Sequence, residues 1–334
     1  MSVFAAATGV GSWPGSTPRE AAEIVIGELH RLPHLVELPD RGVGADLIGR
    51  AGGLLVDIAI DTVTRGYRIA ARPGAVMRRA RSLLDEDIDA LEEAWEKAGG
   101  ADCVVKVQAP GPITLAAQLE LANGHRAITD AGAVRDLTAS LAEGVSRHRA
   151  EVSRRLSTTV VVQFDEPLLT VALAGRLTGV TALSTVHPVD ETRFISLLDE
   201  CVAAAGGEAM LHSCAAELPW KALRRSMISA VSLDVDTLSA GDLDGLGEFV
   251  DSGRTVVLGV VPALAPARVP SIEELAAAAV SVTDRLGFAR SVLRDRIGIS
   301  PACGLAGATG AWARSAIGLA QRVAEVMASE PESV

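Results

Sequence analysis

Short runs rich in Val, Ile and Leu recur along this chain with longer amphipathic segments between them, and that alternation fixes the class of fold. The runs lie at residues 6–10, 34–38, 103–108, 159–164, 208–212, 230–234, 255–261 and 297–300. Most are continuous apolar stretches rather than strict alternations of apolar and polar residues, which is how strands buried on both faces of a parallel sheet read. Helical spacing fills 18–31, 85–98, 131–156, 190–204, 243–252, 271–286 and 311–328, and Ser271 followed by Glu274 is a capping-box signature at the start of the sixth. Eight strands, most of them followed by a helix, predict an α/β fold, a single (β/α)8 TIM barrel. A chain of 334 residues accommodates one such barrel with insertions and needs no second domain.

Two stretches exceed what a minimal barrel requires. Residues 39–85 contain two candidate strands, 54–62 and 66–71, around the turn Thr64-Arg65-Gly66, and read as a hairpin-bearing insertion after the second strand. Residues 177–190 form a further excursion after the fourth strand, with an apolar piece at 180–186 that would be a ninth strand in another topology. Both leave from strand C-terminal ends, the face where active sites of this fold sit, so each is a candidate lid or substrate wall. Residues 1–334 are therefore read as one domain with an inserted segment at about 39–85.

Charge and cysteine usage narrow the class of function. The formal net charge is −11, and no Lys/Arg run interleaves with aromatic residues, which excludes a nucleic-acid footprint. The N-terminus has no basic region followed by a signal-length apolar stretch, and the longest apolar run, 255–267, is broken by Pro262 and Pro266, so neither export nor a membrane span is expected. The four cysteines, at 103, 201, 214 and 303, are too scattered for a disulfide framework and suit a reducing cytoplasm. Self-association into a homo-oligomer is left open.

Chemistry-bearing residues cluster at the ends of the expected strands. His212-Ser213-Cys214 follows directly on the fifth strand, where residues two apart point the same way, so imidazole and thiolate can converge on one ion. Cys303 lies just past the last strand and therefore at the same mouth of a barrel. Asp234 ends the sixth strand. With His212, Cys214 and Cys303 it completes a plausible tetrahedral zinc set, Asp236 taking its place if the register differs by one pair of residues. Asp165 and Glu166 close the fourth strand, where adjacent carboxylates suit a substrate ammonium or acid and base roles, against the plainer reading of a helix-capping Asp beside a solvated Glu. The stretch Thr8-Gly9-Val10-Gly11-Ser12-Trp13-Pro14 ends the first strand with glycines that let a ligand approach the backbone. A rigid turn, Gln108-Ala109-Pro110-Gly111-Pro112-Ile113-Thr114, follows the third.

Taken in order, Gly9-Val10-Gly11-Ser12, Pro110-Gly111-Pro112-Ile113-Thr114, Gln163 to Pro167, His212 to Cys214, Gly259-Val260-Val261 with Pro266 to Ser271, and Cys303-Gly304-Leu305 resemble the catalytic half of cobalamin-independent methionine synthase, in the superfamily shared with uroporphyrinogen decarboxylase. The resemblance spans nearly the whole chain. It implies a zinc-dependent methyltransferase of methionine biosynthesis that acts on a small thiol, homocysteine or a relative, together with a methyl donor. It carries the zinc-ligand role onto His212, Cys214, Cys303 and Asp234, the substrate-carboxylate contact onto Ser12 and the ammonium contact onto Asp165.

Three positions depart from the family pattern. Leu264 stands where the family has a proton-donating His, and a hydrophobic residue near Val171 where it has a folate-contacting Glu. The second strand reads Val36-Glu37-Leu38-Pro39-Asp40 in place of a His-Gly-Glu. No other His but His187, in the 177–190 excursion, stands as a substitute acid, and a solvated loop His is its plainer reading. Two alternatives therefore remain beside methionine synthesis: alkyl transfer to another thiol, as in the coenzyme M transferases of the same superfamily, and a zinc- and thiol-binding barrel without turnover.

Overall fold

The computed structural model describes residues 2–100, 103–179, 186–329 and 331. Its strands, numbered in chain order, are β1 (Ala59–Val63), β2 (Gly66–Ala70), β3 (Val105–Pro110), β4 (Leu119–Glu120), β5 (Val160–Asp165), β6 (Ala209–His212), β7 (Ala230–Asp234), β8 (Thr255–Val261) and β9 (Ile297–Pro301). Six of them form one parallel sheet in the order β3-β5-β6-β7-β8-β9. Every residue of β3, β5, β8 and β9 is buried, as mostly apolar strands of a covered parallel sheet are, and the burial extends to the polar Lys106, Gln108, Gln163 and Asp165. Helices between consecutive strands, among them Ala131–Leu156, Glu191–Ala204, Leu243–Asp251 and Ile272–Arg285, cover the outer face with their apolar stripes. The capping box at Ser271 and Glu274 is formed: Ser271 Oγ accepts from the Glu274 amide, and the Glu274 carboxylate accepts from the Ser271 amide at 2.8 Å.

The first two expected strands are not regular strands. Residues 6–8 and 33–37 instead make isolated parallel bridges, Ala7 with Ile299, Ser12 with Glu37 and His34 with Lys106. Backbone hydrogen bonds nevertheless run from β9 to residues 6–8 (Thr8 N to Ile299 O, 3.0 Å), between residues 11–13 and 37 (Trp13 N to Glu37 O, 2.8 Å) and from residues 33–35 to β3 (Leu35 N to Lys106 O, 2.9 Å). Side chains crowding against glycine break the ladder here. A Cβ on Gly9 would sit 2.2 Å from His34 Nε2, and one on Gly11, at φ +143°, would sit 2.3 Å from Gln108 Nε2. The backbone bends to admit those side chains.

Between residue 39 and β3 lies the hairpin β1-β2, with Ala59 opposite Ala70; the first of the two expected strands, 54–62, starts only at Ala59, because Leu47–Leu54 is a helix. Two features there were not legible in the sequence. The helix Ala75–Lys97 starts ten residues before the expected 85, and β4 pairs in parallel with β2 to complete a small side sheet. The apolar piece at 180–186 lies almost wholly outside the described residues. No helix among those described is long and apolar enough to cross a membrane.

Candidate active site at the strand ends

Parallel register places the ends of neighbouring strands side by side: Asp165 pairs with His212 across β5 and β6, and His212 with Ser232 across β6 and β7. Above them opens a cavity of about 280 Å³ whose wall includes Ser12, Glu37, Asp165, His212, Cys214 and Cys303. One ligand atom each from His212, Cys214 and Cys303 lie within 4.8 Å of one another, the one such group of potential metal ligands among the described residues. The two sulfurs are 3.1 Å apart and unbridged, with the Cys303 thiol donating to Cys214. That hydrogen bond brings the Cys214 thiol down to about 7, because it favours the thiolate, and pushes Cys303 up to about 12. His212 Nδ1 lies 3.1 Å from Ser232 Oγ, while its buried Nε2 has no partner. With Nδ1–H donating to the hydroxyl, Nε2 presents a lone pair beside the two sulfurs, the arrangement a soft N/S metal site requires. The donor set fits zinc.

Asp234 stands outside this group. Its carboxylate turns back to accept from the Asp236 amide at 3.0 Å, capping a short turn, and burial raises its pKa from the usual carboxylate range. Asp236 is exposed. Ser12 joins the wall because Gly304 has no side chain: a Cβ there would sit 2.0 Å from Ser12 Oγ.

The adjacent acids Asp165 and Glu166 part company, because successive residues at a strand end face opposite ways. Asp165 lines the cavity and accepts from Gln163 Nε2 at 2.7 Å. Burial pushes its carboxyl up to about 6, against the opposing pull of His212 and Lys106. Glu166, also expected to bind substrate, is fully buried and is not part of the cavity wall. It accepts from the amides of Ile113 and Thr114 at 2.9 and 2.8 Å and from the Thr114 hydroxyl at 2.7 Å, satisfying the first turn of the helix Pro112–Gln118. The Pro110-to-Thr114 turn is thus tied to Glu166. Gly111 is required there, since a Cβ would meet Glu166 Oε1 at 2.2 Å.

Glu37 was missed as a site residue by sequence reasoning, which read the second strand only as a departure. It lines the cavity opposite Asp165, with Arg50 Nε 3.5 Å from its carboxylate, and burial pushes it up to about 7. Arg50 in turn pairs with the fully buried Asp87, which also holds Arg41 at 2.5 Å. The 39–85 segment thus supplies part of the cavity wall, Pro39, Ala45 and Leu47, and the guanidinium behind Glu37. The available signal was an acid at the very end of an apolar strand. His187 is exposed and is not part of the cavity wall, Leu264 is 60% exposed, and Val171 packs against the hydrophobic core.

The model of the family described as "Cobalamin-independent synthase, Catalytic domain" matches residues 4–326. The chain belongs to that family. The match covers both ends of the site, from Ser12 to Cys303, and the protein is a methyltransferase. Among solved structures, a B12-independent methionine synthase from Shewanella sp. W3-18-1 in complex with selenomethionine superposes with a TM-score of 0.61 at 14% identity, over 99% of this chain and 100% of that one. A methyltransferase from Methanosarcina mazei superposes with a TM-score of 0.59 at 14% identity, over 96% of this chain and 93% of that one. At such identity these likenesses speak for the shared fold. No curated protein matches the chain.

Proposed function

We infer that this family member transfers a methyl group to the sulfur of a small amino-acid thiol, homocysteine or a close relative, at a zinc site in the mouth of an eight-stranded barrel. Residues 6–10 and 34–38 supply the first two staves of that barrel, the 39–85 segment is inserted after the second, and residues 1–334 act as one domain. Cys214 and Cys303, thiols 3.1 Å apart and not joined, suit a reducing compartment, the cytoplasm. The observation that carries the reading is the convergence of His212, Cys214 and Cys303 on the wall of a cavity that also holds the carboxylates of Asp165 and Glu37.

Each residue has a defined task. His212, Cys214 and Cys303 hold the ion, with Ser232 fixing the imidazole ring. These are three protein ligands, the number that catalytic zinc sites use, while Asp234 accepts from the Asp236 amide. Bound zinc supplies Lewis acidity, lowering the pKa of a coordinated thiol so that it is nucleophilic at neutral pH. Asp165 and Glu37 receive the ammonium of the acceptor, and Ser12 with the adjoining glycine-rich backbone receives its carboxylate. Leu264, exposed and outside the cavity wall, offers no proton to a poor leaving group on the methyl donor.

The reading is tested by metal analysis together with methyl-transfer assays using isotopically labelled donors and homocysteine. Stoichiometric zinc and homocysteine-dependent transfer from an activated donor are expected. Zinc with transfer only to a thiol lacking the amino group would favour the coenzyme M transferase alternative, and zinc without transfer to any thiol would leave a binding barrel.

A further inference from the structure

One lysine is fully buried beneath the cavity. Lys106, on β3 between Val105 and Val107, has 0% of its surface exposed and does not belong to the cavity wall. A cation in such a place is costly unless nearby groups answer its charge. An ammonium can only donate, and this one donates to Gln163 Oε1 at 2.5 Å and to Val10 O at 3.3 Å. That settles which way the Gln163 amide lies. Its oxygen must face Lys106, so its NH2 faces away, where it donates to Asp165 Oδ1 and to Val10 O, both at 2.7 Å. One oxygen of Asp165 is thereby committed to the protein and the other is left for a ligand. Burial lowers the Lys106 ammonium to about 7, and the two carboxylates of the cavity, Asp165 and Glu37, are the groups that pull it back up, so whatever charge the lysine carries is shared with both of them.

We propose that Lys106 is a positioning residue for the acceptor's ammonium: through Gln163 it orients Asp165, and its charge holds Asp165 and Glu37 as a paired anionic receptor, while the lysine itself stays out of the ligand's reach. This rests on the amino-thiol reading of the site and extends it, because it assigns recognition of the amine to a group outside the cavity. It also separates the two halves of acceptor binding. Sulfur is held by the His212, Cys214 and Cys303 group, and the amine by a receptor whose polarity is set from β3.

The test compares two ligands on the purified full-length protein by calorimetry, L-homocysteine and 4-sulfanylbutanoate, which lacks the amino group. The wild type is expected to prefer homocysteine. Lys106→Met should reduce that preference by roughly 10- to 100-fold, the range for losing charge-assisted hydrogen bonds, with 4-sulfanylbutanoate affinity and zinc content unchanged. Gln163→Glu provides a second route that keeps an acceptor for Lys106 and a near-identical shape while removing the donor to Asp165, and should reduce the preference similarly. It carries the test alone if Lys106→Met does not fold. A merely structural role would shift the melting temperature and leave the ratio of affinities alone, so an unchanged ratio in a folded variant overturns the proposal. A wild type that does not distinguish the two ligands would contradict the amino-thiol reading itself.

Discussion

The sulfurs of Cys214 and Cys303 lie 3.1 Å apart although 89 residues separate them in the chain. Each follows the end of a strand, β6 and β9, and the fold alone brings them together on the wall of one cavity with His212. Metal content should therefore respond to these two cysteines and to no others. Cys214→Ser combined with Cys303→Ser is expected to abolish zinc retention in protein purified without chelator. Cys201 is fully buried on a helix and Cys103 is half-buried at the sheet's far edge, so their Ser variants should keep the metal. Cys201→Ser should lose stability by about 1–3 kcal/mol, the cost of a buried hydroxyl that has to find a partner.

The neighbouring acids should separate cleanly under mutation. Asp165→Asn is expected to weaken homocysteine binding by roughly tenfold or more with zinc retained, measured by calorimetry beside metal analysis. Glu166→Gln should do the reverse. It loses part of the cap on the Pro112–Gln118 helix and is expected to cost about 1–3 kcal/mol in denaturant unfolding, with ligand affinity nearly unchanged.

Acceptor binding should depend on pH in a defined direction. Burial pushes Asp165 up to about 6 and Glu37 up to about 7, and both must be ionised to receive an ammonium. Affinity for homocysteine relative to 4-sulfanylbutanoate is therefore expected to rise as pH increases from below 6 toward 7, and to fall again above 7 as Lys106, lowered to about 7 by burial, loses its charge. Stability has the opposite sign for the fully buried Glu166, pushed up to about 7 from the ordinary 4.5. Between those values the folded state binds more protons than the unfolded one, so this group's contribution to stability falls as pH rises through that window. The midpoint advantage of the wild type over Glu166→Gln, which does not titrate at this position, should therefore narrow as pH rises from 4.5 to 7.

The donor side makes a separate prediction. A general acid typically contributes about 10²- to 10⁴-fold, and Leu264 cannot act as one. His187 is exposed and outside the cavity wall. Monoglutamate methyltetrahydrofolate is expected to give weak or undetectable methionine formation, an activated methyl donor to work better, and His187→Ala to change neither. Robust turnover with the folate donor would show that an acid acts from elsewhere.

Much of this was legible in the sequence where the signal was local. The parallel strands from β3 onward, the hairpin of the 39–85 segment and the capping box at Ser271 follow from apolar runs and turn residues that need no knowledge of distant contacts. The trio His212, Cys214 and Cys303 was legible because two strand ends at one mouth imply proximity. Other features depended on contacts that no local pattern encodes. The distortion of residues 6–12 comes from His34 and Gln108 packing against glycines, and the divergence of Asp165 from Glu166 comes from the latter's capture by the Ile113 and Thr114 amides. The strand position puts Asp234 at the same mouth, but only the turn that follows β7 shows its carboxylate accepting from the Asp236 amide. Glu37 and its partner Arg50 became visible as a pair only when the inserted segment folded back over the second strand.

The central claim is that His212, Cys214 and Cys303 hold one zinc ion with a position open to the acceptor's sulfur. X-ray absorption at the zinc edge, recorded on the purified protein with and without L-homocysteine, measures this directly. The expected result is two sulfur ligands in the free protein, rising to three when homocysteine is added. A sulfur count that does not change on saturation with homocysteine would contradict it.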